Sequence, residues 1–158
     1  MDIIRKITTY WLVAFLLFGC VKRDPSKTTC KYAGFTRTQL SDRDLSGIDF
    51  TGTDLSKADF FRSDLRGAIL VDTLLVGANL EEANLTRADL TGADLTRAKL
   101  RNAKFYQAVM TEITLENAEV AGADFRGALD LDPELAVELE KRGAIVRDPK
   151  KNGSSELS

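Results

Sequence analysis

The hydrophobic residues of this chain recur every five positions over most of its length. From residue 30 to residue 125, every position divisible by five is apolar when cysteine is counted. The position two residues earlier is mostly small, with alanine at every fifth position from Ala78 to Ala108. A period of five matches neither the turn of a helix nor the alternation of a strand. The pattern therefore predicts a coil with one flat side and one corner per five residues, with the large residues on its axis.

The repeating unit is clearest in residues 78–102, which read ANLEE, ANLTR, ADLTG, ADLTR and AKLRN. These segments resemble the A-(D/N)-L-x-x unit of the pentapeptide-repeat family, over residues 28–127. The resemblance implies an all-β fold, a right-handed quadrilateral parallel β-helix (solenoid) of about five coils, with about 20 residues in each coil. Wrapping the sequence at that length gives four inward columns. They are Leu40/Phe60/Leu80/Leu100/Val120, Leu45/Leu65/Leu85/Phe105/Phe125, Cys30/Phe50/Leu70/Leu90/Met110 and Phe35/Leu55/Leu75/Leu95/Leu115.

Both ends of the repeat are predicted to be capped. Arg43 occupies a position that should be small, so residues 28–47 are expected to be irregular and to act partly as an N-terminal cap. After the repeat, Asp132 is a good N-cap, Pro133 suits the first helical position and Gly143 is typical of a helix end. Residues 128–147 are therefore predicted to form a C-terminal cap with a helix over 133–142, followed by a disordered tail, 148–158. The buried face of that helix is predicted to contain Leu135, Ala136 and Leu139.

The N-terminus has the pattern of an export signal. Two basic residues precede 13 uncharged residues, 7–19, a run too short to span a membrane. The run ends in Leu17-Phe18-Gly19-Cys20, which resembles a bacterial lipoprotein signal. The resemblance implies a signal peptide over 1–19, lipidation of Cys20, a tether over 20–27 and a membrane-anchored envelope protein, in the outer membrane facing the periplasm if the cell is Gram-negative. An ordinary secretory signal and a buried helix of a cytosolic protein are the alternatives.

The composition of the chain excludes several kinds of functional site. The chain has 22 Lys and Arg against 24 Asp and Glu, a net charge of −2, so no strong field indicates nucleic acid. It has no histidine, which excludes histidine-containing triads and histidine metal sites. The acidic column through Asp44 and Asp64 is attributed to the repeat, and no catalysis, metal or cofactor is expected. Cys30 is interpreted as a buried apolar side chain rather than a disulfide partner, because Cys20 is expected to be lipidated.

Two surface features are candidates for binding. Five apolar side chains lie off the core phase, at positions that are polar in most repeats, and form a candidate interaction patch: Phe61, Ile69, Val71, Leu74 and Val76. The patch is interpreted either as a docking or homodimer surface, or as a local cluster shielded by loops or turned inward. A mildly basic region could face anionic glycans or lipid, or could be solvated: Arg87, Arg97, Lys99, Arg101 and Lys104.

Three functions follow from this pattern. The first is a non-catalytic, lipid-anchored interaction or structural module of the bacterial envelope, whose partner is an envelope protein or a cell-wall component. The second is a DNA mimic, similar to the pentapeptide-repeat proteins that protect or inhibit DNA gyrase. Residues 28–127 contain 15 Asp and Glu and 12 Lys and Arg, which is a weak acidic excess for such a mimic. The third, an envelope enzyme, is disfavoured by the missing catalytic motifs.

Overall fold

The computed structural model describes residues 21–24, 27–30 and 34–147. The predicted signal peptide, the lipidation site Cys20 and the predicted disordered tail 148–158 lie outside the described residues.

The repeat folds into a parallel solenoid. Parallel bridges join residues 20 positions apart without interruption, from Gly34–Asp54 to Val109–Leu129. The Leu85 amide donates to the Lys104 carbonyl at 2.7 Å, and the Lys104 amide donates to the Ala83 carbonyl at 2.9 Å. Each side of a coil is thus a very short strand that pairs with the coils before and after it, which satisfies the backbone of an otherwise irregular chain. The predicted solenoid and its 20-residue coil are confirmed.

A tight turn forms each corner. The amide of Ala88 donates to the carbonyl of Leu85 at 3.0 Å, which closes a four-residue β-turn. The third residue of that turn, Arg87, has a φ of 60°, and the equivalent Gly92 has a φ of 67°. The same conformation recurs at every corner, so the chain turns by one side of a square after each pentapeptide.

The core is a continuous column of apolar side chains along the axis. Every residue of the four predicted columns is buried. The Phe105 and Phe125 rings, one coil apart in one column, stack in parallel with their centroids 4.6 Å apart. Where the small inward position carries a hydroxyl, the main chain accepts its hydrogen bond: Thr53 donates to the Cys30 carbonyl at 2.7 Å and Thr73 to the Phe50 carbonyl at 2.9 Å. The predicted axial packing is therefore observed without unpaired buried hydroxyls at these positions.

The coil has four faces, numbered here by the outward residues that pair along them. Face 1 carries Gln39, Asp59, Asn79, Lys99 and Glu119; face 2 carries Asp44, Asp64, Asn84, Lys104 and Asp124; face 3 carries Asp49, Ile69, Asp89, Val109 and Leu129; face 4 carries Gly34, Asp54, Leu74, Asp94 and Thr114.

The N-terminal end differs from the sequence expectation. Strands β1 (Val21–Asp24) and β2 (Lys27–Thr29) pair antiparallel where a tether was expected. The regular ladder begins at Gly34. Residues 34–47 are therefore regular, and the prediction that they are irregular is wrong. Arg43 is accommodated at the small inward position because its side chain is only half-buried. Its carbonyl still takes part in the hydrogen-bond ladder, because it accepts from the Asp64 amide at 2.8 Å. Among the described residues no strand pairs with the outer edge of this segment, which leaves room for the side chain.

Helix α1 (Pro133–Lys141) caps the C-terminal end. The Asp132 carboxylate accepts hydrogen bonds from the amides of Glu134 and Leu135, both at 2.9 Å, as predicted for an N-cap. Leu139 is fully buried against the last coil. After the helix, Ile145 pairs with Asp124 and extends the ladder of face 2 by one strand. No helix of the described residues is long and apolar enough to cross a bilayer.

Candidate functional site

Four of the ten outward positions on faces 3 and 4 carry an aspartate that fixes the next corner. The Asp89 carboxylate accepts from the Thr91 amide at 3.0 Å, and the Asp94 carboxylate accepts from the Thr96 amide at 2.9 Å. The same contact is made by Asp49 and Asp54 two coils earlier. These carboxylates therefore have a structural role in the turn, in the manner of an Asx-turn.

The coil that contains Ile69 and Leu74, called here the second coil, lacks this aspartate contact on both faces. Ile69 and Val71 replace the aspartate and its turn partner on face 3, and Leu74 and Val76 replace them on face 4. Leu74 is 45% exposed, and the other three are half-buried. Ile69, Val71 and Leu74 follow one another around the corner at residues 70–73, and Val76 lies at the next corner, 75–78. The structure thus brings together four of the five residues of the candidate interaction patch.

The fifth residue of that patch, Phe61, lies elsewhere. It follows Phe60 at the corner between faces 1 and 2, which is diagonally opposite the corner that follows Leu70. The Arg62 guanidinium lies 5.0 Å from the centroid of the Phe61 ring. A cation over the aromatic face partly covers it, so Phe61 does not extend the patch.

Face 3 contains two further apolar side chains that sequence reasoning missed. Val109 and Leu129 occupy the same outward column as Ile69, and Leu129 is 50% exposed. The five-residue phase places both at the position of Ile69, so the signal was in the sequence. The predicted C-terminal cap, 128–147, includes Leu129.

The basic region is spread over several faces. Arg97, Lys99, Arg101 and Lys104 follow the fourth coil from the corner after face 4 to face 2. Arg101 pairs with Glu119 at 3.0 Å. Arg87 belongs to the preceding coil and donates to the Gln107 side chain at 3.0 Å. The five residues do not converge on one point, which favours a solvated surface over an anion-binding site.

The acidic column of face 2 is held in ion pairs. Arg66 donates to both oxygens of the Asp64 carboxylate, and Arg126 does the same to Asp124. The hydrogen bond from Arg126 lowers the pKa of Asp124, and the hydrogen bond to Asp64 raises the pKa of Arg66. Within the described residues no group of His, Cys, Asp and Glu side chains is arranged to hold a metal ion. These carboxylates have turn and ion-pair contacts that account for their positions.

A cavity of about 330 Å³ lies between the last coil and α1. Its lining includes Leu115 and, on the helix side, Leu135, Glu138 and Arg142. The Arg142 guanidinium donates to the carbonyls of Leu115 and Ala118 and pairs with Glu138 at 3.0 Å. Arg142 therefore fixes the helix to the open edge of the last coil, and the cavity belongs to the cap.

Cys30 corrects one interpretation of the sequence. It is fully buried on the axis, as predicted, but it is disulfide-bonded rather than an unpaired apolar side chain. A disulfide is compatible with an axial position because it is itself apolar and needs no hydrogen-bond partner. The other cysteine of the chain, Cys20, lies outside the described residues.

The repeat also matches a family model. The model for pentapeptide repeats matches residues 33–72, 63–102 and 93–129, with eight copies of the unit. The chain belongs to the pentapeptide-repeat family. Its coil of four sides is accordingly the right-handed quadrilateral β-helix that pentapeptide-repeat proteins form.

Solved structures of other pentapeptide-repeat proteins are similar to this one. A pentapeptide repeat protein of the Arabidopsis thaliana thylakoid lumen is 29% identical, with a TM-score of 0.68, over 80% of this chain and 83% of that one. The protein Rfr23 of the cyanobacterium Cyanothece 51142 is 25% identical, with a TM-score of 0.36, over 60% of this chain and 85% of that one. QnrB1, a plasmid-mediated fluoroquinolone resistance protein, is 17% identical, with a TM-score of 0.34, over 75% and 90%. Comparison with curated proteins finds no match.

Proposed function

We propose that this pentapeptide-repeat protein is a non-catalytic interaction module, held at the bacterial envelope by a lipid on Cys20. The observation that supports an interaction role most strongly is the second coil. There, two aspartates that fix corners elsewhere are replaced by Ile69 and Leu74, and Leu74 is 45% exposed. A solenoid gains nothing for its own fold from an exposed apolar side chain at a position where aspartate stabilises the turn. Contiguous exposed apolar side chains mark contact surfaces in soluble proteins.

The anchor rests on the residues before the solenoid. The basic and apolar segment that ends in Leu17-Phe18-Gly19-Cys20 resembles a lipoprotein signal in length and order, with Phe18 at a position where a small residue is usual. Two or more acyl chains on one cysteine give stable membrane attachment, whereas a single chain is marginal. The solenoid would then present its side faces close to the membrane surface.

Mass spectrometry of the purified full chain and cell fractionation test the anchor. The proposal expects a mature N-terminus at Cys20 that carries acyl chains, and release of the Cys20→Ser variant from the membrane fraction. The chain has two cysteines, and a cysteine that carries a diacylglyceryl group cannot form a disulfide. The proposed lipid on Cys20 therefore requires that Cys30 is not bonded to Cys20, and samples are compared with and without reductant. An unacylated Cys20 joined by a disulfide, or a wild-type protein that stays in the cytoplasm, would overturn the anchor.

Crosslinking in intact cells tests the interaction role. The double variant Val71→Asp/Leu74→Asp is compared with wild type and with Asp59→Ala on face 1 as a matched surface control. The expected result is loss of crosslinked partners from the double variant alone. Identical partners in all three would remove the case for the patch. A gyrase supercoiling assay with the purified protein is expected to show no effect, and protection or inhibition would favour the DNA-mimic alternative.

A further inference from the structure

We propose that faces 3 and 4 together form a docking surface for a positively charged protein segment that also carries apolar side chains. This inference rests on the proposed interaction role, because it assigns the chemistry of the partner to the same side of the solenoid. The surface, called here the acidic–apolar side, consists of residues 48–55, 68–75, 88–95 and 108–115, together with Leu129 in the next coil. These segments contain the two faces and the corner between them in four successive coils.

The acidic–apolar side has a charge distribution that the net charge of the chain conceals. Residues 34–127 contain 15 Asp and Glu and 11 Lys and Arg. All 11 basic residues lie outside the acidic–apolar side, whereas six of the acids lie within it. Those six are Asp49, Asp54, Asp72, Asp89, Asp94 and Glu112. This side of the solenoid therefore carries acidic residues and no basic residue, although the molecule as a whole is almost neutral.

Ion pairs on the solenoid among the described residues include Arg66–Asp64, Arg101–Glu119 and Arg126–Asp124, all on faces 1 and 2 and their corners. Asp89 and Asp94 accept hydrogen bonds from neutral main-chain amides. Carboxylates on one side of a protein create a potential that attracts a cation.

The apolar side chains form two bands on the same side. One band contains Ile69, Val71 and Leu74, and the other contains Val109 and Leu129 on face 3. The bands are two coils apart, which is about 10 Å at the spacing of paired strands. Asp89 and Asp94 lie between them. An occupant must therefore place apolar groups over both bands and positive charge between them.

Other occupants fit this surface less well. A second copy bound through the same side of a two-fold dimer would bring the two acidic sets against each other, and opposed like charges are unfavourable. A membrane surface that is anionic or zwitterionic offers the acids no net attraction. A protein segment that mixes Lys or Arg with apolar residues satisfies both the charge and the bands.

The test uses the full chain and a short peptide that alternates Lys and Val, with Kd measured by fluorescence anisotropy. Control peptides alternate Lys with Ser and Glu with Val. The expected result is binding of the Lys–Val peptide, with weaker binding of both controls. Removal of the exposed leucine of each band in the double variant Leu74→Ser/Leu129→Ser is expected to raise Kd about tenfold, equivalent to about 1.4 kcal/mol.

A matched pair of variants tests the charge. Asp89→Asn/Asp94→Asn keeps an acceptor for each turn amide but removes the charge, and is expected to raise Kd about tenfold at low salt, with a smaller difference at high salt. Asp59→Asn/Glu119→Gln removes the same charge from face 1 and is expected to leave Kd unchanged. Equal effects of the two pairs, or no binding of the Lys–Val peptide, would overturn the proposal.

The remaining outcomes separate the alternatives. Self-association that depends on Leu74 and Leu129 in sedimentation, or binding of the Cys20→Ser variant to anionic vesicles through these residues, would overturn the proposal in favour of a second copy or a membrane. The peptide assay does not depend on the anchor, so failed lipidation at Cys20 leaves it valid. If the crosslinked partners change in Val71→Asp/Leu74→Asp but the peptide does not bind, the interaction role stands and only the cationic partner is wrong.

Discussion

The third residue of every corner adopts a left-handed φ, whether or not it is glycine. Arg87, Arg97 and Gln107 have φ values of 60°, 59° and 56°, close to the 67° of Gly92. This region costs an L-residue roughly 1–2 kcal/mol. The cost is offset locally, because each corner allows the following strand to make its ladder hydrogen bonds and to bury one large and one small side chain. The repeat thus tolerates polar and charged residues at corners, where they stay in solvent.

The small inward position is predicted to be intolerant of size. Ala88 is fully buried where the backbone approaches the axis, so Ala88→Leu should overpack the coil and destabilise the protein by about 1–3 kcal/mol. Ala121 is exposed at a corner, and Ala121→Leu is the matched control with little expected effect. Urea unfolding followed by circular dichroism measures both. Equal stability of Ala88→Leu and wild type would contradict the axial packing.

The ion pair on face 2 gives a prediction about pH. Because Arg126 lowers the pKa of Asp124 in the folded state, the pair stabilises the protein above the unfolded pKa of about 3.9, and this contribution is lost as pH falls through the lower folded pKa. At neutral pH, Arg126→Gln should lose about 0.2–1 kcal/mol of unfolding free energy. The difference in unfolding free energy between Arg126→Gln and wild type should disappear at acidic pH. Arg97→Gln is the control. If the difference for Arg126→Gln persists below the folded pKa of Asp124, it does not come from this ion pair.

At the scale of the element, the cap was predictable because its signals are local. Asp132, Pro133 and Gly143 mark the two ends of α1, and the helix ends within one residue of the predicted boundary. The docking of the helix was less accessible to sequence reasoning. Arg142 holds it by donating to carbonyls of the last coil, which are 24 and 27 residues away in the chain.

Removal of the buried anchor of α1 should uncover the end of the solenoid. Leu139 is fully buried, so Leu139→Ala should cost about 2–5 kcal/mol. Val137 lies on the same helix but is 40% exposed, and Val137→Ala should be close to neutral. Thermal unfolding and binding of an apolar dye compare the two variants. Equal melting temperatures would show that the helix does not contribute to the core.

At the scale of the whole molecule, the sequence determines the axis more completely than the surface. The five-residue phase alone identifies the buried columns, because the pattern repeats over twenty successive inward positions along the chain. Phe61 was misplaced because sequence proximity to Ile69 does not show that a square coil puts the two on opposite corners. Arg43 was misjudged because the size rule for small positions applies only where another coil stacks above. Cys30 was misjudged because its pairing depends on a contact that no repeat rule describes.

The repeat also predicts how the solenoid responds to deletion. Deleting residues 79–98 removes one full coil and joins Ala78 to Lys99, so every later residue keeps its face and its inward or outward direction. This variant should keep a cooperative thermal transition at a lower melting temperature, because the stability of a solenoid is roughly the sum over its coils and their interfaces. Deleting residues 79–96 breaks the five-residue phase and turns the later apolar residues away from the axis. That variant should lose the cooperative transition, although it retains two more residues than the first. A cooperative thermal transition in it would show that the five-residue phase of the sequence is not what stabilises this fold.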